Sequence, residues 1–158
     1  MIKDSGDRTE FSSGAVRDRG NKGRCDLLPF SVLAKLYEGD CYGIFGAMDE
    51  LYRHGRTDGI IESLRYFINE EFEDYETAIL ELSIHYQEGA QKYEARNWEK
   101  GIPISSFVDS GIRHLMKHSR GDQDERHDRA FVWNMVGLLW TLENHPEMDD
   151  FTIRESKP

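Results

Sequence analysis

Residues 73–93, EDYETAILELSIHYQEGAQKY, decide the fold class. Ile79, Leu82, Tyr86, Ala90 and Tyr93 recur at steps of three or four, and at about 100° per residue those steps return to one side of a helix. A strand would need apolar residues alternating with a period of two, and no stretch of the chain does this convincingly. Working outward, Pro103 with Ser105 and Ser106 starts a helix reaching about residue 118, with Ile104, Phe107, Val108, Gly111 and Leu115 inward and Gly121 as its breaker. The run 124–143 is apolar over most of its circumference, including Phe131, Trp133, Val136, Leu139 and Trp140, which places it at the centre of the fold or at a subunit contact. Pro146 ends it. Toward the N-terminus, helices are expected over 31–37 after Pro29, over 41–54 closed by Gly55, and over 57–69 capped by Thr57 or Asp58. The fold class is all-α: a compact helical domain over 31–146, an extended N-terminal arm over 1–30 docked on it, and a tail over 147–158.

At 158 residues the chain fits one domain. A net charge of -10 argues against a protein that grips duplex nucleic acid, which requires a basic face to displace counterions. The charge is uneven, because residues 1–24 carry six Lys and Arg against four Asp and Glu. Cys25 and Cys41 are too few for a disulfide framework, which suits a reducing compartment. No run approaches the ~18 apolar residues that span a bilayer, and the N-terminus has no apolar signal region. A soluble, cytoplasmic protein with no membrane partner is expected.

Several polar groupings could carry chemistry. Glu81, His85, Glu88 and Lys92 share a helix face that is either solvated or a site. Asp124, His127 and Asn134 continue an apolar face that includes Phe131 and Leu138, so they must find partners: either as a helix cap and satisfied core groups, or as the lining of a cleft. Asp122, Asp124, Glu125 and Asp128 lie within seven positions. Carboxylates at that density suit a hard cation such as Mg²⁺, with a solvated acidic turn as the competing reading. Asp109 and Arg113, four apart, are an ordinary helix pair. His114 sits at the margin of an apolar face. In the arm, Gly14 with Arg17 and Gly23 with Arg24 pair glycines with the guanidinium fork that matches phosphate. The chain has no Walker loop, no Gly-x-Ser-x-Gly elbow and no Cys/His zinc pattern.

Two blocks of the chain resemble a phage-associated family described as dATP/dGTP diphosphohydrolase N-terminal-like, which is similar to the all-α MazG-like nucleotide pyrophosphohydrolases. The first block runs from Ser5-Gly6-Asp7-Arg8 through Gly14-Ala15-Val16-Arg17-Asp18 to Asp26-Leu27-Leu28-Pro29. The second runs from His85 to Asn134 and includes Arg96-Asn97-Trp98-Glu99-Lys100-Gly101, Arg113-His114-Leu115, Gly121-Asp122, Asp124-Glu125 and His127. Residues 39–73 then look like an insertion between the blocks. The resemblance implies a helical homo-oligomer that hydrolyses a purine (deoxy)nucleoside triphosphate to monophosphate and pyrophosphate with divalent metal, in the host cytoplasm if phage-encoded. MazG-like enzymes carry two Glu-x-x-Glu/Asp pairs, whereas here the matching positions are His85-x-x-Glu88 and Asp124-x-x-His127, with Glu125-x-x-Asp128 alongside.

On that reading Glu88, Asp122 and Asp124 hold Mg²⁺ (or Mn²⁺), and His114, His127 and Glu125 form the catalytic group. Arg17, Arg24, Lys92 and Arg113 bind phosphate oxygens, and Asn97 and Trp98 meet the base. A non-catalytic binder that sequesters a host defence nucleotide would use the same cations and Trp98 without a carboxylate pair. A helical interaction module with Trp133 and Trp140 at its contact surface is a third reading.

Overall fold

The computed structural model describes residues 2–20, 22–37 and 42–153, so the expected helix start at Cys41 lies outside the described residues. Among the described residues six α-helices follow one another: α1 (Phe30–Leu36), α2 (Ile44–His54), α3 (Asp58–Glu71), α4 (Tyr75–Lys92), α5 (Ile104–Arg120) and α6 (His127–Asn144). The all-α class therefore holds. Gly55 and Gly121 close α2 and α5 in the left-handed region, at φ 66° and 90°, where an L side chain is disfavoured. Asp74 caps α4 by accepting from the Thr77 amide at 2.6 Å. Thr57 makes no such bond, because its backbone is already helical at φ -110°, ψ -10° and its hydroxyl is not poised over the first turn.

Two expectations need correction. The arm is not merely extended: β1 (Arg8–Glu10) and β2 (Val16–Asp18) pair antiparallel, Arg8 opposite Asp18 and Glu10 opposite Val16. Three residues per strand are too few for alternation to show in sequence. The last helix starts at His127 rather than 124, and residues 121–126 form a turn in which Asp124 is spent on other partners.

The helix α6 is central, and its largest helix interface is with α5. Two glycines make that approach possible. A Cβ on Gly111 would lie 2.5 Å from the Met135 terminal methyl, and one on Gly137 would lie 2.5 Å from the Phe107 ring. Each helix thus supplies a notch for a large side chain of the other. Gly137→Ala is expected to destabilise the protein by about 1–3 kcal/mol, as overpacking of a filled core does. A urea midpoint unchanged from the parent would show that α5 and α6 can separate at no cost.

The apolar stripe read in α4 packs in part: Leu82 lies against the core and Tyr86 against Trp98 and Trp133, while the N-terminal end of the stripe is open to solvent. Ile79 is 62 % exposed and Leu80 67 %, and only Ala78 in this helix is fully buried. The polar row Glu81, His85, Glu88 and Lys92 points toward α6 and the arm, where cations and aromatic rings receive it. Phe151, beyond the 3₁₀ turn Pro146–Met148, packs on Phe30 and Tyr52. No helix among the described residues is long and apolar enough to cross a membrane.

Candidate active site

A cavity of about 1260 Å³ opens between the arm, α4 and α5, with Trp133 and Asn134 of α6 on its wall. The backbone on either side of Arg17 fixes its arm-facing edge. The side-chain amide of Asn97 both donates to the Val16 carbonyl and accepts from the Val16 amide, each at 2.9 Å, and the Asp18 amide donates to the Tyr93 hydroxyl at 2.8 Å. Pinned two residues apart, β2 turns Arg17 into the interior. There its guanidinium lies over the Phe107 and Trp133 rings, 5.6 Å from each centroid, and donates to the Ser106 carbonyl and to Asn134 Oδ1. Among the described residues no carboxylate lies within ion-pair distance of it, and burial pushes its pKa below that of a free guanidinium. A buried positive charge held mainly by neutral dipoles and ring faces is a ready anion anchor.

On the far side of the cavity the turn before α6 builds a hydrogen-bonded chain. Asp124 Oδ1 lies 2.6 Å from Nε2 of His127, and Nδ1 of His127 lies 2.9 Å from Nδ1 of His114. One proton order satisfies all three groups: Nε2 of His127 donates to Asp124, and Nδ1 of His114 donates to Nδ1 of His127. Nε2 of His114 is then left as a lone pair. Lys3 and His127 hold the Asp124 carboxyl well below the usual carboxylate range. Burial, reinforced by His127, pushes His114 down to about 2, so its imidazole stays neutral.

Glu125 stands 3.8 Å from the His114 ring, and two groups of three ligand atoms each fall within 4.8 Å: His114, Glu125, His127 and Asp122, Asp124, His127. Glu88 belongs to neither group. Its carboxylate accepts from Arg129 at 2.8 Å, while Arg129 also donates to Glu81 at 3.2 Å. Glu88, expected as a metal ligand, is placed here as a charge partner of the buried Arg129.

Residues 2 and 3 link these carboxylates. The Ile2 amide donates to Glu88, the Lys3 amide to Glu125 at 2.8 Å, and the Lys3 ammonium lies 2.8 Å from Asp124. Three acids thus converge on one dipeptide, whose ammonium and two amides stand in for a cation. The donor set fits a divalent ion, and the imidazole nitrogen in both groups suits Mn²⁺ better than Mg²⁺.

The other expected phosphate and base contacts divide. Lys92 lines the cavity, but its ammonium donates to the Lys3 carbonyl at 2.5 Å. Arg113 donates to the Gly23 carbonyl and to Asp109, which also accepts from the Cys25 amide, so this pair ties the arm to α5. Arg24 is committed to the buried Asp26 through two bonds of 2.7 Å. Asn97 lines the cavity while each end of its amide makes one bond to Val16, which fixes the side chain against β2. Trp98 lines the cavity with Tyr86 at 5.5 Å and Trp140 at 4.8 Å. Sequence reasoning did not find Arg129 or Lys3. Arg129 follows the acid cluster directly, but nothing in its spacing shows that two glutamates of another helix await it.

The two buried imidazoles give a pH signature. Burial, then the nearby Arg129 charge, pushes His85 down to about 4. Below pH 6.5 the unfolded chain protonates at His85 and His114 while the folded chain does not, so acid favours unfolding. Lowering the pH from 7 to 5 is expected to cost about 2 kcal/mol per imidazole. The urea midpoint should begin to fall near pH 6.5, and a midpoint flat down to pH 5 would mean both rings are solvated.

A search of curated proteins and of solved structures returned no match. A family model does match, over residues 75–151, from the first residue of α4 to the buried Phe151, which takes in the imidazole chain, both ligand groups and Trp98. Over residues 75–151 the chain is similar to the family described as dATP/dGTP diphosphohydrolase, N-terminal.

Proposed function

We propose that this protein hydrolyses a purine deoxynucleoside triphosphate to the monophosphate and pyrophosphate in a divalent-metal-dependent reaction. The observation that carries the reading is that one cavity is lined by both the buried Arg17 guanidinium and His114, the inner end of the Asp124–His127–His114 chain, with Glu125 beside it. The family match supports the substrate class.

Asp122 and Asp124 would hold the metal once Lys3 withdraws, with His127 kept in the imidazole chain, and a bound divalent ion supplies charge neutralisation along the phosphate chain. Arg17 binds a phosphate oxygen and holds the chain in line for attack at the α-phosphorus. The attacking water donates one hydrogen bond to Nε2 of His114, whose direction is fixed through His127 by Asp124. Glu125, beside that ring, takes the water's proton as the new P–O bond forms and the α–β bridging bond breaks, with pyrophosphate as the leaving group. Trp98 and Trp133 offer ring faces to the base.

The test is to incubate the protein with dATP, dGTP and the ribonucleotides in H₂¹⁸O with Mg²⁺ or Mn²⁺, with and without EDTA. Unlabelled pyrophosphate and ¹⁸O-labelled monophosphate, lost with EDTA, are expected. Inorganic phosphate as product would overturn the site of attack. The engagement of Asp124 by Lys3 and of Glu88 by Arg129 favours a second reading, sequestration without turnover, in which the nucleotide is depleted and recovered intact after denaturation.

A further inference from the structure

Within the cavity, His85 of α4 is a polar group the reaction above does not use. It lines the wall, its ring lies 5.7 Å from that of Trp133 at 40°, and neither of its nitrogens makes a hydrogen bond among the described residues. Its neighbour Tyr86 contacts both Trp133 and Trp98, so the imidazole sits in the aromatic part of the wall. We propose that His85 is the residue that recognises the nucleobase: one ring nitrogen, at the aromatic end of the cavity, hydrogen-bonds the base edge and sets selectivity among nucleotides. This rests on reading the cavity as a nucleotide site.

Two other roles fit the surroundings less well. Metal ligation is disfavoured because His85 belongs to neither ligand group, and the nearby Glu88 carboxylate is opposed by the Arg129 and Arg17 charges. Phosphate binding would call for a cation, and the ring is neutral at ordinary pH because burial holds it so. A neutral imidazole offers one donor and one acceptor, which matches an uncharged base edge. Unmet hydrogen-bonding groups of this kind discriminate strongly, since a ligand lacking the complementary atom leaves them unpaired.

The experiment measures equilibrium binding of dAMP, dGMP, 2-deoxyribose 5-phosphate and inorganic pyrophosphate with Mn²⁺, to the parent protein, His85→Phe and His85→Gln. Phe keeps the ring contact with Trp133 and removes the hydrogen bond, while Gln restores a donor and an acceptor. His85→Phe is expected to weaken dAMP or dGMP by about tenfold, leave pyrophosphate and deoxyribose phosphate within about twofold, and be partly rescued by His85→Gln. An equal loss for deoxyribose phosphate would assign the contact to the sugar, and an equal loss for pyrophosphate to the phosphate or metal end. Either result, or unchanged dAMP and dGMP binding in both variants, overturns the proposal. A parent protein that binds none of the four probes would sink the nucleotide reading itself.

Discussion

Asp124→Asn is expected to lower dNTP turnover by roughly 10²–10⁴-fold, the range lost when a positioned proton-transfer group is disabled. The reason lies in proton order. The ionised Asp124 carboxylate can only accept from Nε2 of His127, which leaves Nδ1 of that ring to accept from His114 and leaves Nε2 of His114 free for water. An asparagine amide can turn its NH₂ toward His127. That reverses the whole chain and places a proton on Nε2 of His114, where the lone pair is needed. Asp124 is exposed and its partner Lys3 is exposed too, so the substitution should change stability little. Asp122→Asn is the internal comparison: Asp122 is held by Arg120 at 2.5 and 2.8 Å and touches no imidazole, so its loss should weaken metal activation without altering the proton order. If Asp124→Asn retains more than half the parent activity, the imidazole chain has no part in the reaction.

The parts of this molecule that could be read in sequence are those governed by local rules. Helix period, glycine stops at Gly55 and Gly121, and the apolar circumference of α6 all report structure within a few residues of themselves, and they placed six helices to within a few residues where described. The inward face of α4 could not be read that way. Ile79 looks like core by hydrophobicity yet is exposed, while Glu81, His85 and Glu88 share the inner side with Leu82 and Tyr86, because Arg126, just before α6, and Arg129, within it, come to meet the acids from more than forty positions away. Asn97 shows the same limit from the other direction. Its place beside Trp98 suggested base recognition, whereas its amide extends the edge of β2, a strand eighty-one positions earlier. A side chain's chemistry can be read locally, but which partner consumes its hydrogen bonds is decided by topology.

Arg17→Met should separate binding from folding. Methionine can fill the space over Phe107 and Trp133, and replacing a buried charge that lacks a carboxylate partner by an apolar chain of similar length is often neutral or stabilising. The hydrogen bonds lost are those to the Ser106 carbonyl and Asn134 Oδ1, and Asn134 keeps its own bond to the Ala130 carbonyl at 2.8 Å. The urea midpoint should therefore stay within about 1 kcal/mol of the parent. The affinity for a triphosphate should not: a charge-assisted bond to phosphate is worth about 1.5–3 kcal/mol, which predicts a dissociation constant roughly 10–150 times larger. Because the guanidinium is buried while Lys117 and Lys22 are more exposed, raising the salt concentration should weaken binding to the parent only slightly beyond the contribution of those lysines. Arg17→Lys keeps the charge but loses the fork and its span between Ser106 and Asn134, so it should fall between the two. A Met variant that binds the triphosphate as the parent does, with unchanged stability, would place the phosphates elsewhere in the cavity and make Arg17 a purely structural clasp for the arm.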